Sequence, residues 1–311
     1  MQNKRTHIVV VGSTNTDLVV RTPNLPAPGE TVLGGTFSVV SGGKGANQAV
    51  AAARMGGKVS LIARIGDDDF GRRSAAGFTQ DGIDTTYLFV TPNAASGVAL
   101  IAVSETTGEN SIVVAPGANA LLSPEDVQAA EAAFDTARAV VLSLEVPLET
   151  IQRAAEMGAK RQIPVILNPA PARRLPARLL SLISVLTPNE TEARQIVGMG
   201  AANEEADLET IATELLMQGV DTAVITLGAA GALIVTPDGI ERAPALAVKA
   251  VDTVGAGDCF TGALAVELAS GRSLRDAVQF AGAAAALKVT RLGAQTGIPA
   301  RSEVEELLAR R

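Results

Sequence analysis

The sequence has little of what several classes of protein depend on. Among 311 residues there is one cysteine, Cys259, no tryptophan and one tyrosine, and aromatic residues make up 3%. A single cysteine cannot form a disulfide within the chain, so a reducing compartment, the cytoplasm, is expected. The scarcity of aromatic residues argues against a surface on which nucleic-acid bases stack, and a net charge of -7 argues against binding along a phosphate backbone.

Long apolar runs are also missing. The apolar run near the N-terminus, residues 8–11, has four residues, which is shorter than the apolar core of a signal peptide. No stretch approaches the roughly 18 uninterrupted apolar residues that indicate a membrane span. We therefore expect no secretory leader, no membrane partner and no nucleic-acid partner.

What the sequence does contain is a regular alternation of short β-branched segments and helical patterns. Hydrophobic residues make up 47% and charged residues 19%, which is enough apolar material for a substantial core. The predicted strands are 7–12, 58–66, 139–145, 164–169, 185–189 and 222–228. The predicted helices are 44–56, 69–80, 123–134, 147–161, 189–197, 204–218, 256–269, 273–288 and 300–310. This alternation predicts a single α/β domain over residues 1–311, a doubly wound and mostly parallel sheet with helices on both faces.

Two segments break this alternation. Residues 17–41 and 96–115 read as alternating strands around polar turns, which is typical of antiparallel pairs. We predict that they leave the main sheet together as a small antiparallel β lid. Apolar side chains such as Val39 and Leu100 would give the lid a face that needs a cover, and a second copy of the chain would supply it. A homodimer through the lid is therefore expected.

Four polar or glycine-rich stretches are expected at one edge of the sheet, because ligands of open α/β sheets bind beyond the carboxyl ends of the strands. They are 12–17, 41–48, 187–192 and 226–231. Each has a purely structural interpretation: a turn, a flexible loop, a capping box and a hairpin, respectively.

The stretch 41–48 also suits a site for a polyol. Its glycines allow close approach to the backbone, and Lys44 and Asn47 lie one helical turn apart. It does not have the spacing of a Walker-type phosphate loop, and 12–17 is not a dinucleotide fingerprint.

The stretch DTVGAGDCF at 252–260 carries the clearest chemical signal. A strand end is followed by small residues and then by Asp258 at the start of an apolar helix. Small residues leave backbone N–H groups uncovered at the positive end of a helix, where an anion can approach closely. A carboxylate beside such donors suits a transferring phosphoryl group whose acceptor hydroxyl needs a base. We prefer this hypothesis to a glycine-assisted helix start with an acidic first turn.

Taken together, these stretches resemble the ribokinase-like sugar and nucleoside kinases. The resemblance runs from about residue 7 to residue 310. It rests on GSTNTD, PAPGET, SGGKGANQAVAAAR, LNPAPAR, TPNETEA, ITLGAAGAL, DTVGAGDCFTGAL and VTRLGAQ. It implies ATP-dependent phosphorylation of a primary hydroxyl, here O5 of D-ribose, and the NPAPA and TRLGAQ stretches are the ones that favour ribose.

The resemblance also implies roles for individual residues. The sugar hydroxyls would be bound by Asn15, Asp17, Gly43, Lys44, Asn47, Glu145 and Asp258. ATP would be contacted by Asn189, Thr226, Gly228, Gly231 and Gly257. An anion hole would be formed by the backbone N–H groups of Ala256, Gly257 and Asp258, with Gly255 in the turn before them. Asp258 would also be the base that accepts the proton of the attacking O5.

Two ions are implied in the same way. Glu192 would help to hold Mg²⁺ through water. A K⁺ site beside the anion hole would use Asp252 and the carbonyl oxygens of Val254, Lys288, Arg291 and Gly293, and K⁺ would then raise kcat above the value in Na⁺. Two positions depart from the family pattern. Gly282 replaces a larger polar residue near the adenine, and Gly297 replaces a serine that often helps to bind the monovalent cation.

Other functions stay open at this point. Sister kinases of 2-deoxyribose, fructose or a nucleoside share these motifs, although the few aromatic residues favour a bare sugar over a nucleoside. A catalytically silent sugar sensor on the same fold is a second alternative, and the intact Asp258 argues against it. A non-kinase nucleotide-binding enzyme is a third, weakened by the missing dinucleotide fingerprint.

Overall fold

A computed structural model of the protein describes residues 6–198 and 207–310. The predicted helix at 204–218 therefore begins outside the described residues. Within these ranges the strands are β1 (His7–Val11), β2 (Asn15–Thr22), β3 (Thr36–Gly42), β4 (Lys58–Gly66), β5 (Leu88–Thr91), β6 (Gly97–Ser104), β7 (Asn110–Ala115), β8 (Ala139–Ser143), β9 (Val165–Asn168), β10 (Val185–Leu186), β11 (Ala223–Thr226), β12 (Ala232–Thr236) and β13 (Gly239–Ala243).

The helices alternate with the strands of the large sheet in the way the sequence predicts. They are α1 (Lys44–Arg54), α2 (Asp69–Gln80), α3 (Pro124–Ala129), α4 (Glu131–Thr136), α5 (Leu148–Lys160), α6 (Ala177–Leu180), α7 (Glu190–Ile196), α8 (Leu208–Met217), α9 (Ala256–Ala269), α10 (Leu274–Val289) and α11 (Arg301–Ala309). In the part of the chain that the structure describes, no helix is both long and apolar enough to cross a membrane.

The large sheet has nine strands in the order β13-β12-β11-β10-β9-β8-β1-β4-β5. The pairs from β11 through β10, β9, β8, β1 and β4 to β5 are parallel, and β12 and β13 extend the sheet antiparallel at one end. Alternate residues of β1 enter different hydrophobic clusters: Ile8 and Val10 pack with α1, α9 and α10, and Val9 and Val11 with α4 and α5. The prediction of a doubly wound sheet with helices on both faces is confirmed.

The smaller sheet has the order β3-β2-β6-β7 and forms the lid. Its outer pairs, β2 with β3 and β6 with β7, are antiparallel as predicted, but the central pair β2 and β6 is parallel. Both central strands leave the edge of the large sheet in the same direction, and each then returns through its own hairpin partner. Parallel pairing of the two outgoing strands follows from that exit.

Three details differ from the sequence prediction. The helix expected at 123–134 is divided into α3 and α4 at Ala130. The short elements β5 and α6 were not predicted, because four residues are too few to show a hydrophobic period. Strand β13, with the sequence GIERA, lies at the edge of the sheet and is mostly exposed, so it lacks the apolar pattern of the inner strands.

Candidate active site

The start of α1 is pressed against the turn that joins β1 to β2. Gly43 has a φ of 89°, and a Cβ atom there would lie 2.6 Å from the Asn15 nitrogen. A Cβ atom on Gly45 would lie 2.7 Å from Cα of Gly12. No side chain fits at either position, so the glycines of GGKG are required for the approach of helix and turn. This contact brings the 12–17 and 41–48 stretches into one site.

Asp258, in the first turn of α9, faces the same region from the other side. It is buried, and its carboxylate accepts hydrogen bonds from Nδ2 of Asn47 at 2.9 Å and Nε2 of Gln48 at 3.0 Å. The other amide atoms, Oδ1 of Asn47 and Oε1 of Gln48, are buried without a partner among the described residues. Buried acceptors without partners are rare in folded proteins, and a ligand hydroxyl would satisfy them. Gln48 was not among the predicted site residues, although it lies in the quoted motif.

The pKa values of Asp258 and Lys44 are both raised, but for different reasons. Burial raises the pKa of Asp258, while Lys44 and the two amides act to lower it. Burial alone would lower the pKa of Lys44, but the carboxylates of Asp258, Glu145, Glu192 and Asp17 outweigh it, so the pKa of Lys44 is raised. The single ammonium group of Lys44 therefore lies near several carboxylates, and the site keeps excess negative charge until a ligand binds.

The turn before α9 has the backbone geometry expected for an anion hole, with one difference. Gly255, the N-cap, has a φ of 76°, which suits glycine. The Ala256 amide donates to the Thr253 carbonyl at 3.1 Å and so belongs to the turn itself. The amides of Gly257 and Asp258 stand where a helix offers no acceptor of its own. Two of the three expected donors are thus free to meet an anion.

Asn168, at the end of β9, was missed by the sequence reasoning. It is buried, its Nδ2 would lie 3.8 Å from a Cβ atom on Gly257, and its Oδ1 has no partner in the described part of the chain. It therefore lies beside Gly257, at the place predicted for the anion hole. It belongs to the NPAPAR stretch, and the spacing of the prolines there does not indicate the direction of the asparagine side chain.

Asp17 and Asn15 lie on β2, one of the two central strands of the lid. Asp17 is 8% exposed, and its carboxylate packs against Gly42, where a Cβ atom would lie 2.3 Å from Oδ2. Oδ1 of Asn15 accepts a hydrogen bond from Nδ2 of Asn119 at 2.7 Å. Gly42 and Asn119 thus set the positions of the two predicted sugar ligands. Nothing in a single sequence marks Asn119, which reaches Asn15 from a distant turn.

Glu145, which follows β8, lies next to the start of α1. Its carboxylate accepts hydrogen bonds from the hydroxyl of Ser13 and from the backbone nitrogen of Lys44, the latter at 3.1 Å. Gly43, the residue at the N-cap, has no side chain that can satisfy this amide. Glu145 therefore caps α1 from outside the helix and joins the turn after β1 to it.

The ionisation of Asp17 makes a prediction about stability. Burial, and then Glu145 and Asp258, raise the pKa of Asp17 to about 6, against about 3.9 in an unfolded chain. The folded state therefore binds the Asp17 proton more tightly than the unfolded chain does. The contribution of this proton to the free energy of unfolding is complete below pH ~3.9 and is lost as the pH rises through 6. We expect Asp17→Asn to raise the free energy of unfolding of the ligand-free protein by about 1–3 kcal/mol at pH 7.5.

Thermal melting between pH 4 and 8 measures this effect. The gain in melting temperature from Asp17→Asn should shrink toward zero below about pH 4.5, where the wild-type carboxyl is protonated. The variant should also bind the sugar more weakly. An equal difference at every pH would contradict the assigned pKa, since a pure packing effect does not titrate.

A cavity of about 720 Å³ adjoins the anion hole. It is lined by the β11–β12 turn with Thr226, Gly228 and Gly231, by Ala256 and Gly257 of α9, and by the face of α10 that carries Val278 and Gly282. A Cβ atom on Gly282 would meet nothing within 4 Å, so this glycine leaves the cavity open. The predicted ATP residues of the turn and the anion hole therefore share one apolar cleft, which suits a nucleotide base.

Asn189 and Glu192 lie at the start of α7 and form a reciprocal capping box. Oδ1 of Asn189 accepts from the Glu192 nitrogen, and Oε2 of Glu192 accepts from the Asn189 nitrogen, both at 2.8 Å. The structural interpretation of this stretch therefore holds. The Glu192 charge nevertheless acts on Lys44, which places it at the edge of the same site.

The predicted cation residues lie together beside the turn before α9. Asp252 accepts hydrogen bonds from the Val254 nitrogen at 3.0 Å and the Gly293 nitrogen at 2.8 Å. The Lys288 carbonyl accepts from the Arg291 nitrogen at 3.0 Å and the Gly293 carbonyl from the Gly297 nitrogen at 3.1 Å. The residues are adjacent as predicted, but these oxygens are already engaged within the protein.

Comparison with known proteins decides the family. The pfkB family of carbohydrate kinases matches residues 5–301. The chain belongs to this family. The match extends over both sheets and over the turn that precedes Asp258, and it identifies the protein as a sugar kinase.

Individual pfkB relatives are similar over nearly the whole chain. The ribokinase of Haemophilus influenzae is 41% identical over 304 residues, which cover 98% of this chain and 99% of that protein. The deoxyribokinase of Salmonella typhi is 39% identical over 303 residues, covering 97% and 98%. A solved structure of Arabidopsis thaliana ribokinase complexed with ribose and ATP is 32% identical and covers 98% of this chain and 99% of that chain, with a TM-score of 0.87.

Proposed function

We propose that this protein is a ribokinase, which transfers the γ-phosphoryl group of ATP to O5 of D-ribose and releases ADP and ribose 5-phosphate. One observation carries the proposal: the buried carboxylate of Asp258 lies between the sugar-side amides of α1 and the free amides at the start of α9. A hydroxyl that meets Asp258 would therefore lie next to an anion held by those amides. The similarity to ribokinases supports ribose as the sugar, and a cytoplasmic location is part of the proposal.

The residues of the site have three roles in the reaction: they bind the sugar, accept its proton and stabilise the charge of the transferred group. Asp17, Asn15 and Asn47 hold the sugar hydroxyls, and Asp258 accepts the O5 proton as the bond from O5 to the γ-phosphorus forms. The bond from that phosphorus to the bridging oxygen breaks, and ADP leaves. The Gly257 and Asp258 amides and Lys44 stabilise the negative charge on the transferred group, which is the main task in phosphoryl transfer.

Mg²⁺ fits the residues present. Among the described residues there is no group of three or more histidine, cysteine, aspartate or glutamate side chains that could hold a metal ion. Mg²⁺ in kinases needs no such cage, because it is bound by one or two carboxylates, water and the phosphates of the nucleotide. Glu192 would hold it through water, and the ion would supply charge neutralisation on the phosphates.

K⁺ fits the structure poorly. Both carboxylate oxygens of Asp252 accept backbone amides, and its carbonyl accepts a hydrogen bond from Nζ of Lys288 at 2.8 Å. A cation is therefore already present at the place expected for K⁺, and we derive no catalytic step through that ion.

The sugar is tested by a substrate panel. D-Ribose, 2-deoxy-D-ribose, D-fructose and adenosine are each supplied with ATP, and ADP formation is followed. We expect the highest kcat/KM with D-ribose. A higher value with 2-deoxy-D-ribose would instead place the protein with the deoxyribokinases, to one of which it is similar. If the protein binds a sugar of the panel but phosphorylates none, the result would favour the alternative of a catalytically silent sugar sensor.

The homodimer belongs to this proposal because one face of the lid is apolar and uncovered. Residues paired across strands lie on the same face, and the registers align Val39, Leu18, Leu100 and Val113 in one row. Val39, Leu100 and Val113 in this row are exposed. Asp17 alternates with Leu18 and so points to the opposite face, toward the sugar. A second copy seated on the outer face would bury this row without blocking the sugar site.

Leu100 is 54% exposed in the single chain. We expect Leu100→Asp to convert the dimer to a monomer at micromolar concentration. The reason is that pairing would bury the new charge in an apolar interface. Light scattering after size exclusion measures the change. Met217→Asp is the matched control, because Met217 is 76% exposed at the end of α8, far from the lid. A monomeric wild type, or a dimeric Leu100→Asp, would contradict the proposed interface.

A further inference from the structure

Lys288, in the last turn of α10, is a lysine with 0% exposure. Lysine is rarely buried completely unless its charge is paired. Its Nζ donates to the carbonyl oxygen of Asp252 at 2.8 Å and lies 4.0 Å from Oδ2 of the same residue. The ammonium group is thus held by Asp252, the residue that the family resemblance assigns to the monovalent cation.

Gly297 provides the space for this side chain. A Cβ atom on Gly297 would lie 3.3 Å from Cε of Lys288, 3.2 Å from the Arg291 carbonyl oxygen and 2.7 Å from the Gly293 carbonyl oxygen. A serine at this position would crowd the lysine and both carbonyls. The glycine at 297, where the family pattern has a serine, therefore leaves the room that the end of the Lys288 side chain occupies.

The Lys288 ammonium group faces the carbonyl oxygen and the carboxylate of Asp252. Burial lowers the pKa of Lys288 below its ordinary value, and Asp252 and Cys259 offset only part of that shift. Burial also raises the pKa of the Cys259 thiol to about 12, so the cysteine is neutral at pH 7, and the carboxylate 4.0 Å from Nζ of Lys288 belongs to Asp252. A carboxylate with carbonyl oxygens around one unit charge is the coordination chemistry of K⁺, and an ammonium group has the same charge and a similar size.

The charge is connected to the anion hole through Asp252. Its carboxylate accepts hydrogen bonds from the backbone amides of Val254 and Gly293, and so links the turn before α9 to the loop after α10. Gly255 then packs on this loop, since a Cβ atom there would lie 3.2 Å from Cβ of Ala294. Without a cation at Asp252, the turn that presents the Gly257 and Asp258 amides would lose this support.

We propose that the Lys288 ammonium takes the place of the monovalent cation in this kinase, so that the anion hole is formed without K⁺. Lys288 is a positioning residue, which acts through Asp252 and the turn and does not touch the substrate. The inference rests on the proposed kinase function, but it concerns the cation requirement and not the identity of the sugar.

The wild-type enzyme gives the first test. kcat is measured in KCl, NaCl and tetramethylammonium chloride at equal ionic strength, with whichever sugar the enzyme phosphorylates. We expect values within about twofold in all three salts. The family resemblance without the lysine predicts clear activation by K⁺, so activation of the wild type by severalfold over tetramethylammonium would overturn the inference.

Lys288→Met gives the second test, because methionine keeps the apolar stem of the lysine, ends at Cε and so removes the charged Nζ and leaves its place open. In tetramethylammonium chloride we expect kcat to fall about 10–100-fold, as after loss of a residue that orients an ion site, with little change in the KM for sugar. KCl or NH₄Cl should restore much of the rate, since either cation can enter beside Asp252. Lys160→Met, at an exposed lysine in the last turn of α5, is the matched control and should respond to no salt.

Thermal melting supplies a readout that does not depend on turnover. K⁺ should raise the melting temperature of ligand-free Lys288→Met relative to tetramethylammonium and leave that of the wild type unchanged. This measurement still decides the inference if no sugar of the panel is phosphorylated. A folded Lys288→Met that K⁺ neither activates nor stabilises would show that Lys288 is an ordinary buried ion-pair residue, and if the variant does not fold, the wild-type salt series decides.

Discussion

Replacement of Asp258 by asparagine is expected to lower kcat by about 10²–10⁴-fold, the usual cost of losing a general base. The fold around it should persist, because the amides of Asn47 and Gln48 that donate to the carboxylate have buried oxygens without partners in the described chain. Rotation of either amide would present an acceptor to the new NH₂ group. Sugar binding should therefore change little.

Steady-state kinetics and calorimetric titration with ribose separate the two effects. Asp69→Asn is a suitable control, because Asp69 is also an acid in a first helical turn but is exposed and pairs with Arg72. Its kcat should equal that of the wild type. An Asp258→Asn enzyme that keeps more than about a tenth of the wild-type kcat would exclude Asp258 as the base, since that loss is below the expected range.

Gly42→Ala is expected to lower kcat/KM for ribose by about 10²-fold, the cost of displacing a binding group by roughly 1 Å. The new Cβ atom would lie 2.3 Å from Oδ2 and 2.4 Å from Oδ1 of Asp17, so the carboxylate has to move. The φ of Gly42 is outside the left-handed region, and alanine therefore imposes no backbone strain. The KM for ATP should stay the same, because the nucleotide cavity does not include Gly42.

Kinetics at varied ribose and fixed ATP measure the Gly42→Ala effect. Gly77→Ala in α2 is the control, since a Cβ atom there meets nothing within 4 Å. It should leave the kinetics unchanged and stabilise the helix by about 0.5–1 kcal/mol. A Gly42→Ala enzyme with the wild-type KM for ribose would show that Asp17 does not position the sugar.

The sequence by itself determined the local features of this protein. Apolar periodicity located the helices that follow β3, β4 and β8, and the bounds of α2 and α9 agree with the prediction. The turn at 255–257 and the acid after it were predicted from residue type alone, because a free amide at a helix start is a local property of the backbone. The lid was also predicted, since its strands alternate and turn within short segments.

The tertiary structure decided which side chains meet. Asn47 and Asp258 are separated by 211 residues, and only the packing of α1 against α9 brings their side chains to 2.9 Å. The same holds for Asn119 with Asn15, and for the parallel pairing of β2 and β6. Such contacts depend on the relative positions of whole elements, which a local hydrophobic period does not contain.

Lys288 shows the difference most clearly. Its backbone carbonyl was assigned to a cation site from the sequence, and the last turn of a helix is an ordinary place for an exposed lysine. The structure instead buries its side chain, because the missing side chain of Gly297 leaves room and Asp252 offers an acceptor. Whether a charged group points to solvent or inward is decided by the space and the partners that distant segments provide, and in our proposal that choice determines which cation supports the anion hole.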